Sequence, residues 1–135
     1  MKGNDFLVFV YGTLRKGESN DALLQEAESL GFYETESEYT MFDLGYFPAV
    51  TPSGKTSISG ELYRVDQQTA KNLDQLEGYP SYYDRIQITT PMGDAWIYVI
   101  HHLTEDYDEV EKGDWVKYCA RKDAQGVRNG YRHRG

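Results

Sequence analysis

Six apolar or aromatic residues run without interruption from Phe6 to Tyr11. A run of that length predicts a strand buried on both faces and is far too short to span a bilayer. Gly12 ends it, and Thr13-Leu14-Arg15-Lys16-Gly17 continues as a loop with two positive charges. Ser19-Asn20-Asp21 ahead of Ala22-Leu23-Leu24 is a helix-start pattern, which predicts a helix over about 20–28. The order is therefore buried strand, glycine turn, polar loop, helix.

Further along, Gly31 to Leu44 reads as extended, with Tyr33, Tyr39, Met41 and Leu44 spaced by polar residues. Gly45-Tyr46-Phe47-Pro48 breaks that pattern, and Pro52-Ser53-Gly54-Lys55 predicts a turn. Alternation returns from Ser57 to Val65. Asp66 then caps a helix of roughly ten residues that stops near Gly78. Ile86 and Ile88 mark one face of a strand over Tyr82–Thr89. Pro91-Met92-Gly93-Asp94 is a hairpin turn, and Ala95–His101 is the return strand with Trp96, Tyr98 and Ile100 on one face. Gly113-Asp114-Trp115 opens a short final element containing Tyr118 and Cys119. Five or six strands with two helices define an α+β class, and the mostly non-parallel order with glycine breaks predicts a strongly curved or barrel-like sheet. No repeat, low-complexity tract or linker interrupts residues 1–135, which read as one domain with a basic, mobile tail from about residue 121.

Composition narrows the function classes. A net charge of −8 argues against nucleic acid as a partner. The charge is uneven: residues 121–135 carry a local +4, so the first 120 carry −12. That end is read as solvated, with docking on an acidic face of this or a neighbouring subunit as the less favoured reading. The single Cys119 excludes an intrachain disulfide and fits a reducing compartment. Lys2-Gly3-Asn4-Asp5 is not the start of a signal segment, and no membrane span is present, so a cytoplasmic location is expected. The 12 tyrosines suit strands and half-polar pockets.

Two stretches carry candidate chemistry. The first is the loop at Gly12, where backbone N–H groups beyond the last ladder bond can hold an anion or a carbonyl oxygen. The plainer reading is that Gly12 only lets the chain leave the sheet. The spacing Gly12-(four residues)-Gly17-Glu18-Ser19 nearly matches a phosphate-binding loop, but Glu18 stands where the phosphate-binding lysine belongs, so nucleotide binding is rejected. The second is Glu77. On the helix after Asp66 the apolar residues are Ala70, Leu73 and Leu76, and at about 100° per residue Glu77 falls roughly 20° from Ala70 and about 40° from Leu73. A carboxylate in an apolar stripe has a raised pKa or a partner, which makes Glu77 a candidate general base. The alternative is a frayed last turn beside Gly78, with Glu77 bent out to water. Asp74, at the edge of the stripe, is expected to be exposed.

Elsewhere the pattern is weak. His101 and His102 are adjacent and point to opposite sides of a strand, His133 lies in the basic tail, and no metal-ligand spacing appears, so no metal or other cofactor is expected. The acidic stretch Glu105-Asp106-Tyr107-Asp108-Glu109 lacks a calcium-loop pattern. Cys119 has no histidine at informative spacing, and no serine sits in a nucleophile elbow.

Val8-Phe9-Val10-Tyr11-Gly12-Thr13-Leu14-Arg15-Lys16-Gly17 closely resembles the opening of the γ-glutamylcyclotransferase-like proteins, especially their γ-glutamylamine branch. Gly60-Glu61-Leu62-Tyr63, then Leu73-Asp74-Gln75-Leu76-Glu77-Gly78 with Tyr83-Asp84-Arg85, then Gly113-Asp114-Trp115 are similar to that family's further motifs, in order, over roughly residues 6–116. The resemblance implies a small mixed barrel with flanking helices and release of 5-oxoproline from a γ-glutamyl amine or peptide, a small-molecule substrate. It implies Glu77 as the acid/base, and Tyr11, Gly12, Thr13 and Leu14 as the residues around the glutamyl group. Tyr83 and Arg85 are candidates for supporting positions. A non-catalytic binding module that keeps the same pocket is the rival reading, and a hydrolase or transferase acting on another amide is a third.

Overall fold

The computed structural model describes residues 5–18 and 20–124. The elements follow as β1 (Phe6–Val10), a 3₁₀ turn (Asp21–Leu24), β2 (Glu28–Glu34), β3 (Tyr39–Asp43), β4 (Pro48–Thr56), β5 (Ser59–Val65), α1 (Gln67–Glu77), β6 (Asp84–Thr90), β7 (Gly93–Val99), β8 (Asp108–Glu109) and α2 (Trp115–Ala124). Five strands make a mixed sheet in the order β2-β5-β1-β7-β6, and three make a second in the order β4-β3-β8. The α+β class read from the sequence stands. The strands are divided between two sheets, which meet where Ile100 N donates to Val50 O at 2.9 Å. Among the described residues no helix is long and apolar enough to cross a membrane.

The uninterrupted apolar run supplies the central strand. β1 is antiparallel to β5 and parallel to β7, and both of its faces are covered. Phe9 and Tyr11 enter an apolar cluster with Met41, Val50, Ile97 and Trp115, which packs the second sheet and α2 against the first. Val8 and Val10 enter a second cluster with Leu24, Leu73 and Tyr98, which seats α1 and the 3₁₀ turn on the opposite face. A side chain fully buried in this way contributes about 1.5–3 kcal/mol, so the two clusters fix where the end of β1 emerges. β7 is also buried on both faces: Ala95, Ile97 and Val99 join the first cluster, and Tyr98 joins the second with Trp96 packed against it.

α1 forms as its termini dictate. The Asp66 carboxylate accepts from Thr69 N at 2.8 Å, and Gly78 closes the helix in the left-handed region at φ 68°. The helix expected over 20–28 does not form. Asn20 bonds back to the preceding loop, its amide donating to Thr13 Oγ1 at 2.8 Å and its backbone N–H to Thr13 O at 2.7 Å. Only a 3₁₀ turn follows before β2 claims the chain at Glu28, which faces Arg64 across the ladder. The turn expected at 52–55 is a bulge within β4: pairing jumps from Thr40↔Thr51 to Tyr39↔Thr56, and the four residues between loop out. The extended stretch 31–44 divides into β2 and β3. α2 carries residues 121–124 into a helix where a mobile tail was expected; the rest of that basic segment, with His133, lies outside the described residues.

Candidate active site

The end of β1, the connection between β3 and β4 and the last turn of α1 enclose a cavity of about 400 Å³, within the range of small-molecule sites. Tyr11, Gly12, Thr13 and Leu14 line one side of it and Glu77 another, so five residues read separately from two distant stretches face one space. Phe47 and Pro48 form a wall, and Tyr83 and Tyr98 contribute buried rings.

Glu77 reaches the cavity because Gly78 ends α1 directly after it and Leu73, one turn earlier, anchors that face of the helix in the core. It does not fray out to water. It is half-buried, and its carboxylate has no hydrogen-bond partner among the described residues. Burial alone pushes its pKa from an ordinary 4.5 up to about 7. Leu76, expected in the buried stripe, instead stands at the mouth of the cavity and is exposed.

Three tyrosines surround this carboxylate, and each hydroxyl donates to a protein acceptor. Tyr11 Oη donates to Tyr98 O, Tyr83 Oη to Pro48 O and Tyr98 Oη to Asp74 Oδ1, all at 2.7 Å. Burial raises the pKa of Tyr11 and Tyr83, and the charge of Glu77 adds to the rise in both. Burial raises Tyr98 as well, followed by its bond to Asp74. Those three hydroxyls are committed to the protein, and the main chain of the loop offers further donors. Arg15 N returns to Gly12 O at 3.0 Å, closing the loop, while no acceptor among the described residues takes the N–H of Thr13 or Leu14.

Gly12 has a second reason to be glycine. Its φ is not positive, but a Cβ there would lie 2.8 Å from both Cδ and Cγ of Pro48, well inside van der Waals contact. The first of the loop's two cations is used inside the protein. Arg15 is buried, with Nε 2.9 Å from Glu61 and Nη1 3.1 Å from Asp114, and it does not line the cavity. Glu61 also accepts from Lys16 N at 2.9 Å, and Asp114 caps α2 by accepting from Lys117 N at 3.1 Å. Three of the four sequence motifs thus meet at one guanidinium.

Asp74 is half-buried, not exposed as expected. It pairs with Arg85, whose Nη1 contacts both carboxylate oxygens at 2.6–2.7 Å. The Arg85 guanidinium carbon also lies 4.3 Å from the ring centre of Tyr79 and 4.8 Å from that of Trp96. Of the two supporting candidates, Tyr83 is in the cavity and Arg85 is outside it. His101 pairs with Asp84 at 2.8 Å, and Cys119 packs against the first core cluster; neither faces the cavity, nor does His102. Among the described residues no three His, Cys, Asp or Glu side chains gather as a metal site. Sequence reasoning missed the Tyr46–Pro48 wall, read only as a break, and Asn20, read as a helix start. Tyr98 was visible as a strand position, but nothing local pointed it at Glu77.

Fold and site together define a small α+β protein whose cavity joins one raised carboxyl to a loop of open main-chain donors. Residues 8–117 match the family described as gamma-glutamyl cyclotransferase, AIG2-like, and the chain belongs to that family. A relative from Vibrio cholerae is 47% identical over 111 residues, spanning 82% of this chain and 96% of its own. The gamma-glutamylcyclotransferase family protein YtfP of Escherichia coli K12 is 36% identical over 109 residues, spanning 81% of this chain and 95% of its own. The solution structure of the E. coli protein superposes with a TM-score of 0.70, covering 84% of this chain and 99% of that one at 34% identity. An uncharacterized protein from Pyrococcus horikoshii gives 0.75, with 88% and 97% covered at 25% identity.

Proposed function

We propose that this protein cyclises the γ-glutamyl group of a γ-glutamyl amine or peptide to 5-oxoproline and releases the free amine. The observation that carries the reading is the half-buried Glu77 carboxyl, raised to about 7, across one cavity from the open N–H groups of Thr13 and Leu14.

The substrate's α-amino nitrogen attacks its own γ-carbonyl carbon, and the bond from that carbon to the leaving nitrogen breaks. Atoms balance without water: one proton leaves the attacking amine and one arrives on the departing amine. A single carboxylate with a pKa near neutrality can carry that proton both ways. The α-carboxylate and the developing oxyanion need fixed donors, which the Thr13 and Leu14 N–H groups offer at no reorganisation cost. Holding the glutamyl chain folded makes ring closure intramolecular, and the internal amine then outcompetes water.

The test is incubation with a panel of γ-glutamyl amines and peptides, with products identified by mass spectrometry. 5-Oxoproline is expected, and glutamate as the main product overturns the reading. Glu77→Gln keeps the shape and removes the base, so turnover should fall by about 10²–10⁴-fold. A fully active Gln variant removes Glu77 from the mechanism.

A further inference from the structure

We propose that Asp43 and Tyr118 are positioning residues that latch the Tyr46–Pro48 wall of the cavity, so that contacts made outside the cavity set how tightly substrate is held. This rests on the cyclisation reading above and adds a control on substrate binding to it.

The wall is the connection between β3 and β4. Asp43 and Pro48 face each other as the last ladder pair, and residues 44–47 bridge them. Leu44 N donates to Phe47 O at 3.0 Å, which closes the bridge. Gly45 takes a φ of 111°, a conformation that side chains disfavour, so the chain can reverse there. The Pro48 end is fixed from the cavity side. Pro48 O accepts from Tyr83 Oη at 2.7 Å, and the Pro48 ring packs so closely on Gly12 that a Cβ there would lie 2.8 Å from it. The other end is fixed by Asp43. One of its carboxylate oxygens accepts from Gly45 N and the other from Tyr118 Oη, both at 2.7 Å.

Tyr118 comes from α2, 75 residues further along. It is buried and stacked on Trp115 with ring centres 5.6 Å apart, so its hydroxyl is presented from the core. Neither Asp43 nor Tyr118 lines the cavity. The ladder gives no reason for an aspartate at position 43: its partner on β8 is Asp108, and like charges directly opposite in a sheet are unfavourable. Two hydrogen bonds to a carboxylate, each stronger than a neutral pair, offset that repulsion. Losing them loosens the end of the bridge that carries Tyr46 and Phe47 over the cavity. Glu77 and the Thr13 and Leu14 N–H groups belong to other elements and stay in place. A wall touches bound substrate and transition state alike, so loosening it raises KM and leaves kcat.

The experiment uses Tyr118→Phe, which removes the hydroxyl and keeps the stacked ring, Asp43→Ala, which removes both acceptor oxygens, and the double variant. Two quantities are measured: amide hydrogen exchange over residues 44–47, and KM and kcat for 5-oxoproline release from γ-glutamylbutylamine. Each single variant should speed exchange at 44–47 and raise KM by about 3–10-fold, with kcat within about 2-fold of the wild type. The double variant should match Asp43→Ala, because the hydroxyl then has no acceptor left to lose. Should Asp43→Ala fail to fold, Tyr118→Phe decides by the same two measurements. Unchanged exchange at 44–47, an unchanged KM, or KM shifts that multiply in the double variant would each overturn the latch and leave the cyclisation reading standing. If the wild type releases no 5-oxoproline, the cyclisation reading falls and the latch's part in it falls too.

Discussion

Glu77 ties the chemistry of the cavity to the stability of the fold. Its carboxyl titrates near 7 when folded and near 4.5 when the chain is open, so folding favours the protonated form. Below pH 4.5 both states hold the proton and the group costs nothing. Between 4.5 and 7 the unfolded chain ionises first, and stability falls as pH rises. Above 7 the full penalty applies, at most about 3 kcal/mol from the size of the shift. Glu77→Gln should therefore match the wild type in urea unfolding at pH 4 and exceed it increasingly up to pH 8. On the proposed mechanism the ionised form is the active one, so kcat/KM of the wild type should rise with pH to a plateau with a midpoint near 7. Loss of that acid limb in the Gln variant ties it to this group; an unchanged limb assigns it elsewhere. The same residue was legible from the sequence because helical periodicity is local: Ala70, Leu73 and Glu77 fall on one face whatever the rest of the chain does. Leu76 was misread for the complementary reason, since periodicity tells an inward face from an outward one and says nothing of a cavity rim between them.

At the level of elements, α1 is held at both ends by different means. Asp66 and Gly78 define its length and were readable as caps. Its lateral position depends on Asp74, which takes Arg85 from β6 and the Tyr98 hydroxyl from β7. Those partners lie 11 and 24 residues away, so no local signal announced them. Because Asp74 is one turn before Glu77, this clamp sets where the carboxyl sits. Arg85→Leu leaves Asp74 charged and half-buried without its counter-ion and removes the cation between Tyr79 and Trp96. We expect a lower midpoint in urea unfolding, and a fall in kcat of up to about 10²-fold from displaced geometry. Arg85→Lys should recover charge and stability more than rate, because it lacks the planar group that stacks between the rings. Equal recovery of both would deny the clamp a part in positioning. The segment 20–28 shows the opposite failure: a good helix-start signal lost to Asn20's bonds with Thr13 and to strand pairing from Glu28.

Across the whole molecule, Arg15 joins segments that the sequence keeps far apart. Its partners Glu61 and Asp114 stand 46 and 99 residues away, on β5 and at the start of α2. The sequence places two cations in the loop after β1; the fold uses one as an internal tie, because a buried guanidinium is stable only where carboxylates meet it. Arg15→Met strands both carboxylates in poorly hydrated surroundings. Breaking a buried pair in this way costs about 3–5 kcal/mol, read as a matching loss in urea unfolding free energy. A loss below about 1 kcal/mol would mean the tie is no stronger than a surface pair.

The open N–H groups of Thr13 and Leu14 carry a consequence for how this protein can change. A main-chain donor survives almost any side-chain exchange, so on the proposed reading recognition of the glutamyl end is shielded from ordinary point mutation. The mouth is not: Tyr46, Leu76 and Tyr82 are exposed, come from separate segments and can be replaced singly without opening the core. A lineage built on this scaffold can therefore vary the rim of the cavity residue by residue while the main-chain donors stay the same, and on the proposed reading laboratory selection for new leaving amines should collect its substitutions at those three positions.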